Sequence, residues 1–344
     1  MSQKKRLAAG VAGLTGLVIA LAACSSSSSS SSRSSTGGSS STSGGGTAAA
    51  TASPVNISVG TSGATGVYLP LYVGVQTGLF KKDGLNVTVQ TLTPNAVTAA
   101  TLSGNINIGW DGPGLVSGIL SSPSSAKVIF TAGPTAFYIY AKKGITSVAG
   151  LKGMTVAVTT PGGAIDTAVR AAIKNAGMTP GTDVKIAYLQ TNSAALAAVE
   201  NGSVQAAGVS PPTSIQATQG GLTDIENITS LSPPSVLAVN SSFAASNGPA
   251  ITKFITAFKA AEQLTVSNEA DAEAALKTYV KLTVPSQISG TWATYKSFWT
   301  VGPYPTNEMQ DLLTGLAAAS PPVKGASTTK PSAIIDNQYV NAAG

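Results

Sequence analysis

From Val55 onward the chain alternates short apolar runs with helix-like segments, and after Gly150 the alternation starts again. Val55 to Gly60 reads as a strand, Tyr68 to Gly78 carries apolar residues at helical spacing, and Asn86 to Leu92 alternates as a strand. Residues 95–103 read as a helix, Ile106 to Trp110 as a short strand, and Pro113 to Leu120 as a helix opened by its proline. Ala126 to Thr131 and Ala136 to Ala141 are apolar strands. The second round places strands at Met154 to Val158, Val184 to Gln190 and Val204 to Val209, with helices at Ala164 to Asn175 and Ser193 to Glu200. Strands separated by helices of this length imply parallel sheets in an α/β fold. From about residue 248 the pattern is mainly helical: 248–267, 269–283, 285–298 and 306–318. No convincing sequence repeat links the two rounds.

The alternation accounts for residues 54–344, about 290 residues, enough for two lobes with sizeable cores. The preceding residues have another character. Lys4, Lys5 and Arg6 precede an uncharged apolar stretch, Leu7 to Ala20, which ends in Leu21-Ala22-Ala23-Cys24. That is the layout of a secretory signal over residues 1–23. The apolar run falls short of the ~20 residues a spanning helix needs. Residues 24–53 supply Cys24 and then a tether of Ser, Gly, Thr and Ala with one charge, Arg33. Such a segment cannot bury enough apolar surface to offset its ordering entropy. As a coil of about 29 residues it would span roughly 30 Å. Cys24 is the sole cysteine, so no intramolecular disulfide exists and the core must supply stability.

The formal charge of +6 overstates the mature protein, because three positive residues lie in the signal. No basic stripe with interleaved aromatics is present, which argues against nucleic-acid binding. There is no histidine and only one cysteine, at the end of the signal, which removes histidine triads, cysteine–histidine nucleophiles and the usual zinc sites. No Gly-x-x-x-x-Gly-Lys-Ser/Thr loop and no Gly-x-Ser-x-Gly elbow occurs. No cofactor and no metal site is expected. A carboxylate-pair hydrolase stays open among the 14 acidic residues.

Leu-Ala-Ala-Cys resembles the lipobox of bacterial lipoproteins, which implies acylation of Cys24; durable anchoring takes more than one acyl chain. Four further runs resemble type II periplasmic solute-binding proteins of ABC importers, in the nitrate, sulfonate, taurine and thiamine-precursor group. They are Leu69 to Val87, Ala99 to Gly109, Val148 to Val158 and Ala194 to Ala207, in that order. Asn107 and Gly150 stand where the group usually has Asp, and the fourth run also lacks its Asp. The resemblance implies two α/β lobes flanked by helices, residues 54–136 plus 237–344 and residues 137–236. The chain would cross near Ala136 to Tyr140 and Ser235 to Val239.

Open α/β sheets bind ligands beyond the carboxyl ends of their strands. That rule selects the loops Thr61 to Tyr68, Trp110 to Gly114, Thr159 to Asp166 and Ser210 to Thr213. Their candidate ligand-binding residues are Thr61, Ser62, Gly63, Tyr68, Trp110, Asp111, Gly112, Thr160, Gly162, Gly163, Ser210 and Pro211. The loop from Thr159 to Ala164 offers backbone N–H groups and a helix N-terminus to an anion. Thr61, Ser62 and Gly63 offer the same in the other lobe. Tyr68 and Trp110 suit either ring stacking or core packing. A carboxylate at a strand end, Asp111, suits an amine or amino-heterocycle, or forms a turn before Gly112-Pro113. Arg170, the sole arginine beyond the tether, sits on the second turn of its helix, which favours surface solvation over an oxyanion clamp. Glu269, Asp271 and Glu273 read as a charged helix start.

The reading is a monomeric, non-enzymatic substrate-capture lipoprotein on the outer face of a membrane. It takes a small anion, zwitterion or pyrimidine-like ring and serves an ABC permease and its ATPase. A surface-anchored carboxylate enzyme and a sensory or adhesive protein on the same fold are the alternatives.

Overall fold

The computed structural model describes residues 53–319 and 321–344, so Cys24, the signal-like segment and the tether up to residue 52 lie outside the described residues. The first sheet begins with β1 (Val55–Ser62), followed by α1 (Leu69–Gln76), α2 (Leu79–Lys82), β2 (Leu85–Leu92), α3 (Pro94–Ser103), β3 (Ile108–Asp111), α4 (Pro113–Ser121) and β4 (Ala126–Phe130). The chain then builds a second sheet from β5 (Tyr138–Ala141), β6 (Thr155–Val158), α5 (Ala164–Asn175), β7 (Lys185–Tyr188), α6 (Asn192–Glu200), β8 (Ala206–Val209), α7 (Thr213–Gln219) and β9 (Thr223–Asn227). It returns through β10 (Val236–Asn240) and finishes with α8 (Ser241–Ser267), α9 (Glu269–Ala275), a π-helical turn (Leu276–Val280), α10 (Pro285–Tyr295), α11 (Thr306–Ala317) and α12 (Gln338–Ala342).

The strand orders are β2-β1-β3-β10-β4 and β7-β6-β8-β5-β9. Sequence alternation predicts parallel sheets, but each sheet is mixed. In the first, β10 runs antiparallel to β3 and β4; in the second, β5 runs antiparallel to β8 and β9. Geometry explains the exception. β4 runs in the same direction as β3, so it ends at that sheet's carboxyl edge. The chain crosses there and enters the second sheet at its own carboxyl edge, so β5 must run backwards. The return from β9 to β10 repeats the rule. Both crossings therefore lie at the edge where α/β sheets place ligands.

The sequence predicts β10 only as a crossing segment and predicts neither α7 nor β9. All five β10 residues are buried, and a strand covered on both faces shows no polar alternation. α8 is helical from Ser241, but Asn247 leaves helical geometry two residues before Pro249. The expected start at 248 marks the second of its two parts.

Both sheets are covered on both faces. An aromatic-rich core joins the first sheet to α1 and α8 through Trp110, Phe130, Phe254 and Phe258. On its other face α4 and α11 pack through Leu115, Val116, Leu312 and Leu313. The second sheet holds α5 on one face through Ile165, Val169 and Ile173, and α6 on the other through Leu196 and Val199. Phe80 stacks on Phe254 with centroids 5.1 Å apart.

Two of the three Asp residues missing from the family-like runs have substitutes. Asn107 Oδ1 accepts the Ser58 N–H at 2.8 Å and the Ser58 hydroxyl at 3.0 Å, tying the start of β3 to β1. Gln205 Oε1 accepts the Thr155 N–H at 3.1 Å, tying β8 to β6 in the same way. A neutral amide oxygen serves as well as a carboxylate where only an acceptor is needed.

Candidate functional site

The carboxyl edges of the two sheets face each other across a cavity of about 550 Å³. All four loops selected by the crevice rule reach it. Ser62, Gly63, Tyr68, Trp110, Asp111, Gly112, Thr160, Gly163 and Ser210 line it. Thr61, Gly162 and Pro211 are not among its lining residues. Thr61 is wholly buried beneath it.

On the first-sheet side the side chains form a short relay. The single Ser62 hydroxyl proton goes to Asp111 Oδ1 at 2.8 Å. The Tyr68 hydroxyl, 2.6 Å from Ser62 Oγ, must then be the donor in that pair. The Ser62 N–H donates to the Tyr68 oxygen at 3.2 Å. Burial pushes the Asp111 carboxyl up to about 6, with the Ser62 hydroxyl and the Gly112 N–H pulling the other way. Burial, then the Asp111 charge, raises the Tyr68 phenol well above its ordinary value. Trp110 is core and cavity wall together. Tyr68 meets it edge-on at 4.9 Å, Phe258 at 5.3 Å, and its Nε1 has no acceptor.

The second-sheet side is built from hydroxyls and amides: Thr159, Thr160, Thr191, Asn192, Ser210 and Thr213. Asn192 Nδ2 donates to Ser210 Oγ at 3.0 Å, and its buried Oδ1 has no donor. The expected anion cradle at Thr159 to Ala164 has two of its N–H groups taken within the protein, while the start of α5 carries no side-chain cap and Ala164 and Ile165 line the cavity. Asp166 Oδ2 accepts the Gly162 N–H at 2.8 Å, and the Gly163 N–H bonds the Thr160 carbonyl at 3.1 Å. The protein's own carboxylate thus sits on the loop. Arg170 is neither solvated nor a clamp: its Nε binds Asp166 Oδ1 at 2.8 Å and its Nη2 donates to the Tyr188 hydroxyl at 2.7 Å.

Several lining residues escaped the sequence reading: Pro94 after β2, Gln190 and Asn192 after β7, Gln216 on α7, and Lys281. The crevice rule, applied to the ends of β2 and β7, would have found the loops holding the first three. Lys281 gave no signal, because a turn after the π-helical segment brings it to the cavity. Among the described residues, Gln190 (φ 66°) and Lys281 (φ 62°) are the non-glycine residues with left-handed backbone, and both line this cavity. Such conformations cost energy and concentrate at functional sites.

Asp111 is the only carboxylate lining the cavity among the described residues, so the carboxylate-pair hydrolase lacks its second group here. No cluster of metal-ligating side chains occurs among the described residues, and no described helix is long and apolar enough to cross a membrane.

The sheets also touch. A methyl group on Gly112 would sit 3.1 Å from Ala164 Cβ across the cleft. Farther out, α10 meets α7 through amides: Gln216 Nε2 donates to Gln287 Oε1 at 3.2 Å, Gln287 Nε2 to Gln219 Oε1 at 3.2 Å, and Gln219 Nε2 to Ser286 Oγ at 2.8 Å.

Solved structures share this architecture. The periplasmic aliphatic sulphonate binding protein SsuA from Escherichia coli is 22% identical, with a TM-score of 0.69 over 83% of this chain and 99% of that one. The periplasmic nitrate-binding protein NrtA from Synechocystis PCC 6803 is 15% identical, with a TM-score of 0.73 over 84% of this chain and 88% of that one. A protein from Bordetella bronchiseptica RB50 is 19% identical, with a TM-score of 0.72 over 84% and 96%. At these identities the likeness shows the fold, that of periplasmic binding proteins. No curated protein matches the chain. The sequence profile of the family described as NMT1/THI5 like matches residues 66–272, more than half of the chain, and the protein belongs to that family.

Proposed function

We propose that the protein is the extracytoplasmic solute-binding component of an ABC importer. It captures a small polar organic solute between lobes formed by residues 54–136 with 237–344 and by residues 137–236. It closes over the solute and presents it to a permease driven by a cytoplasmic ATPase. Binding energy shifts the balance of open and closed states, and no covalent step is needed. The observation that carries this reading is the cavity, lined by strand ends from both sheets and holding both left-handed non-glycine residues.

Cys24, acylated after removal of residues 1–23, would hold the protein on the outer membrane face, with the Ser/Gly-rich segment as a flexible leash and the protein acting as a monomer. Mass spectrometry of the membrane fraction tests this. An acyl adduct on Cys24 supports it, and an unmodified soluble protein contradicts it.

Solute capture is tested by thermal shift and calorimetry with sulfonates, taurine, nitrate, amino acids and pyrimidines. A ligand at one hundred times its Kd adds about 2.7 kcal/mol, a rise of several degrees in Tm. A panel without any stabilising member contradicts the proposal, and turnover of a panel compound would favour an enzyme.

A further inference from the structure

Three of the cavity-lining residues titrate: Tyr68, Asp111 and Lys281. Asp111 projects from the end of β3 and has no cation within salt-bridge distance. One protein hydroxyl, that of Ser62, reaches its Oδ1. With the Ser62 hydroxyl and the Gly112 N–H as its donors, this half-buried carboxylate keeps acceptor capacity for another group. From the facing sheet, Asn192 brings a buried Oδ1 that has no donor. The sole arginine beyond the tether is bound to Asp166 and Tyr188 and does not line the cavity. The cavity thus holds two acceptors with room for donors, one in each wall, and one donor without an acceptor, Trp110 Nε1. The cation that would grip an oxyanion there is limited to Lys281, an exposed residue.

We propose that the solute carries an amino or ammonium group that Asp111 anchors, with Asn192 Oδ1 accepting a second N–H. This inference rests on the solute-capture reading and narrows its ligand class. An oxyanion alone would leave both acceptors empty and face the Asp111 charge. Selection follows from hydrogen-bond chemistry, because a site built to accept N–H groups rejects analogues that lack them.

Matched pairs of probes test it by calorimetry on the purified protein. They are taurine against isethionate, β-alanine against 3-hydroxypropanoate, and 4-amino-2-methylpyrimidine against 2,4-dimethylpyrimidine. In at least one pair the amino member binds tenfold tighter or better, and Asp111→Asn abolishes the difference. Wild-type protein supplies a second readout independent of any variant. Taurine and β-alanine stay zwitterions between pH 5 and 7, and Asp111 titrates near 6. Tyr68, raised by burial well above its ordinary value, stays neutral in that range. The affinity of taurine and β-alanine therefore rises about tenfold from pH 5 to pH 7, while that of their anionic amino-free partners does not rise. Tight binding of an amino-free compound, an unchanged preference in Asp111→Asn, or a flat amino-probe profile overturns the anchor and leaves solute capture standing. If no probe and no panel compound binds, solute capture itself falls and the anchor with it.

Discussion

The two sheets are built to one plan and furnished differently. β2-β1-β3-β10-β4 corresponds strand by strand to β7-β6-β8-β5-β9, and in each the fourth position is the antiparallel strand that arrives from the other side. Even the tie between the first and third strands recurs, through Asn107 in one sheet and Gln205 in the other. The furnishing diverges at the core and at the cleft. The first sheet packs against aromatics, and its cleft edge shows Tyr68, Trp110 and a carboxylate. The second packs mainly Ile, Val and Ala, and its edge shows hydroxyls and amides. A shared scaffold sets where the cavity lies, and unlike edges set what it can recognise. On the first wall Trp110 and Tyr68 belong to the core behind them; the second carries hydrogen-bonding groups.

The largest test of that contrast is in the cores. Phe254 is fully buried against Phe80. Phe254→Ala should cost about 3–5 kcal/mol in urea unfolding, and more than Ile173→Ala in the second lobe, where the range is about 2–5 kcal/mol. Equal losses would erase the distinction between an aromatic and an aliphatic core.

The next largest effect is in the cleft walls. Asp111 titrates near 6 in the fold against an ordinary 3.8. Between those values the folded state holds a proton that the unfolded chain has lost, so ligand-free stability falls as pH rises from about 4 to about 6. Asp111→Asn should therefore stabilise the ligand-free protein by about 1–3 kcal/mol at pH 7, with the gain vanishing near pH 4. The same variant should lose ligand, a trade of function for stability. A Tm at pH 7 that falls in the variant would contradict this assignment.

The shared tie gives a smaller effect. Asn107 accepts from both the Ser58 N–H and its hydroxyl, whereas Gln205 accepts from one N–H. Asn107→Ala should cost about 1–2 kcal/mol and Gln205→Ala about 0.5–1.5 kcal/mol by chemical denaturation. The smallest effect concerns the amides of α7 and α10. Gln287→Ala removes two of the three contacts there and should cost about 0.5–1 kcal/mol. Small-angle scattering of the ligand-free variant should show a larger radius of gyration; an unchanged radius would mean that these amides do not bias closure.

Much of this plan was legible in the sequence, and the gaps have physical causes. α5 was readable because Ile165, Val169 and Ile173 repeat at helical spacing, and its bounds agree with the sequence reading. β10 was hidden because burial on both faces removes alternation, and α7 because Thr213 to Gln219 is mostly polar and packs on the second sheet through small residues such as Ala217. In the site, Asp111 was visible as a carboxylate at a strand end. The chain Gly162, Asp166 and Arg170 could also have been read: Asp166 lies four residues on, with Arg170 four beyond it, and pairs at that spacing meet on a helix. Lys281 depends on how distant elements meet, which no local pattern records.

The account turns on the cavity being the place where the two unlike walls meet a solute. A crystal structure of the protein with the tightest-binding panel compound tests this most directly. The account predicts density between Asp111 and Trp110 on one wall and Asn192 on the other, with an N–H group within hydrogen-bond distance of the Asp111 carboxylate. Density outside this cavity, or a compound inside it that turns an oxyanion toward Asp111, would contradict it.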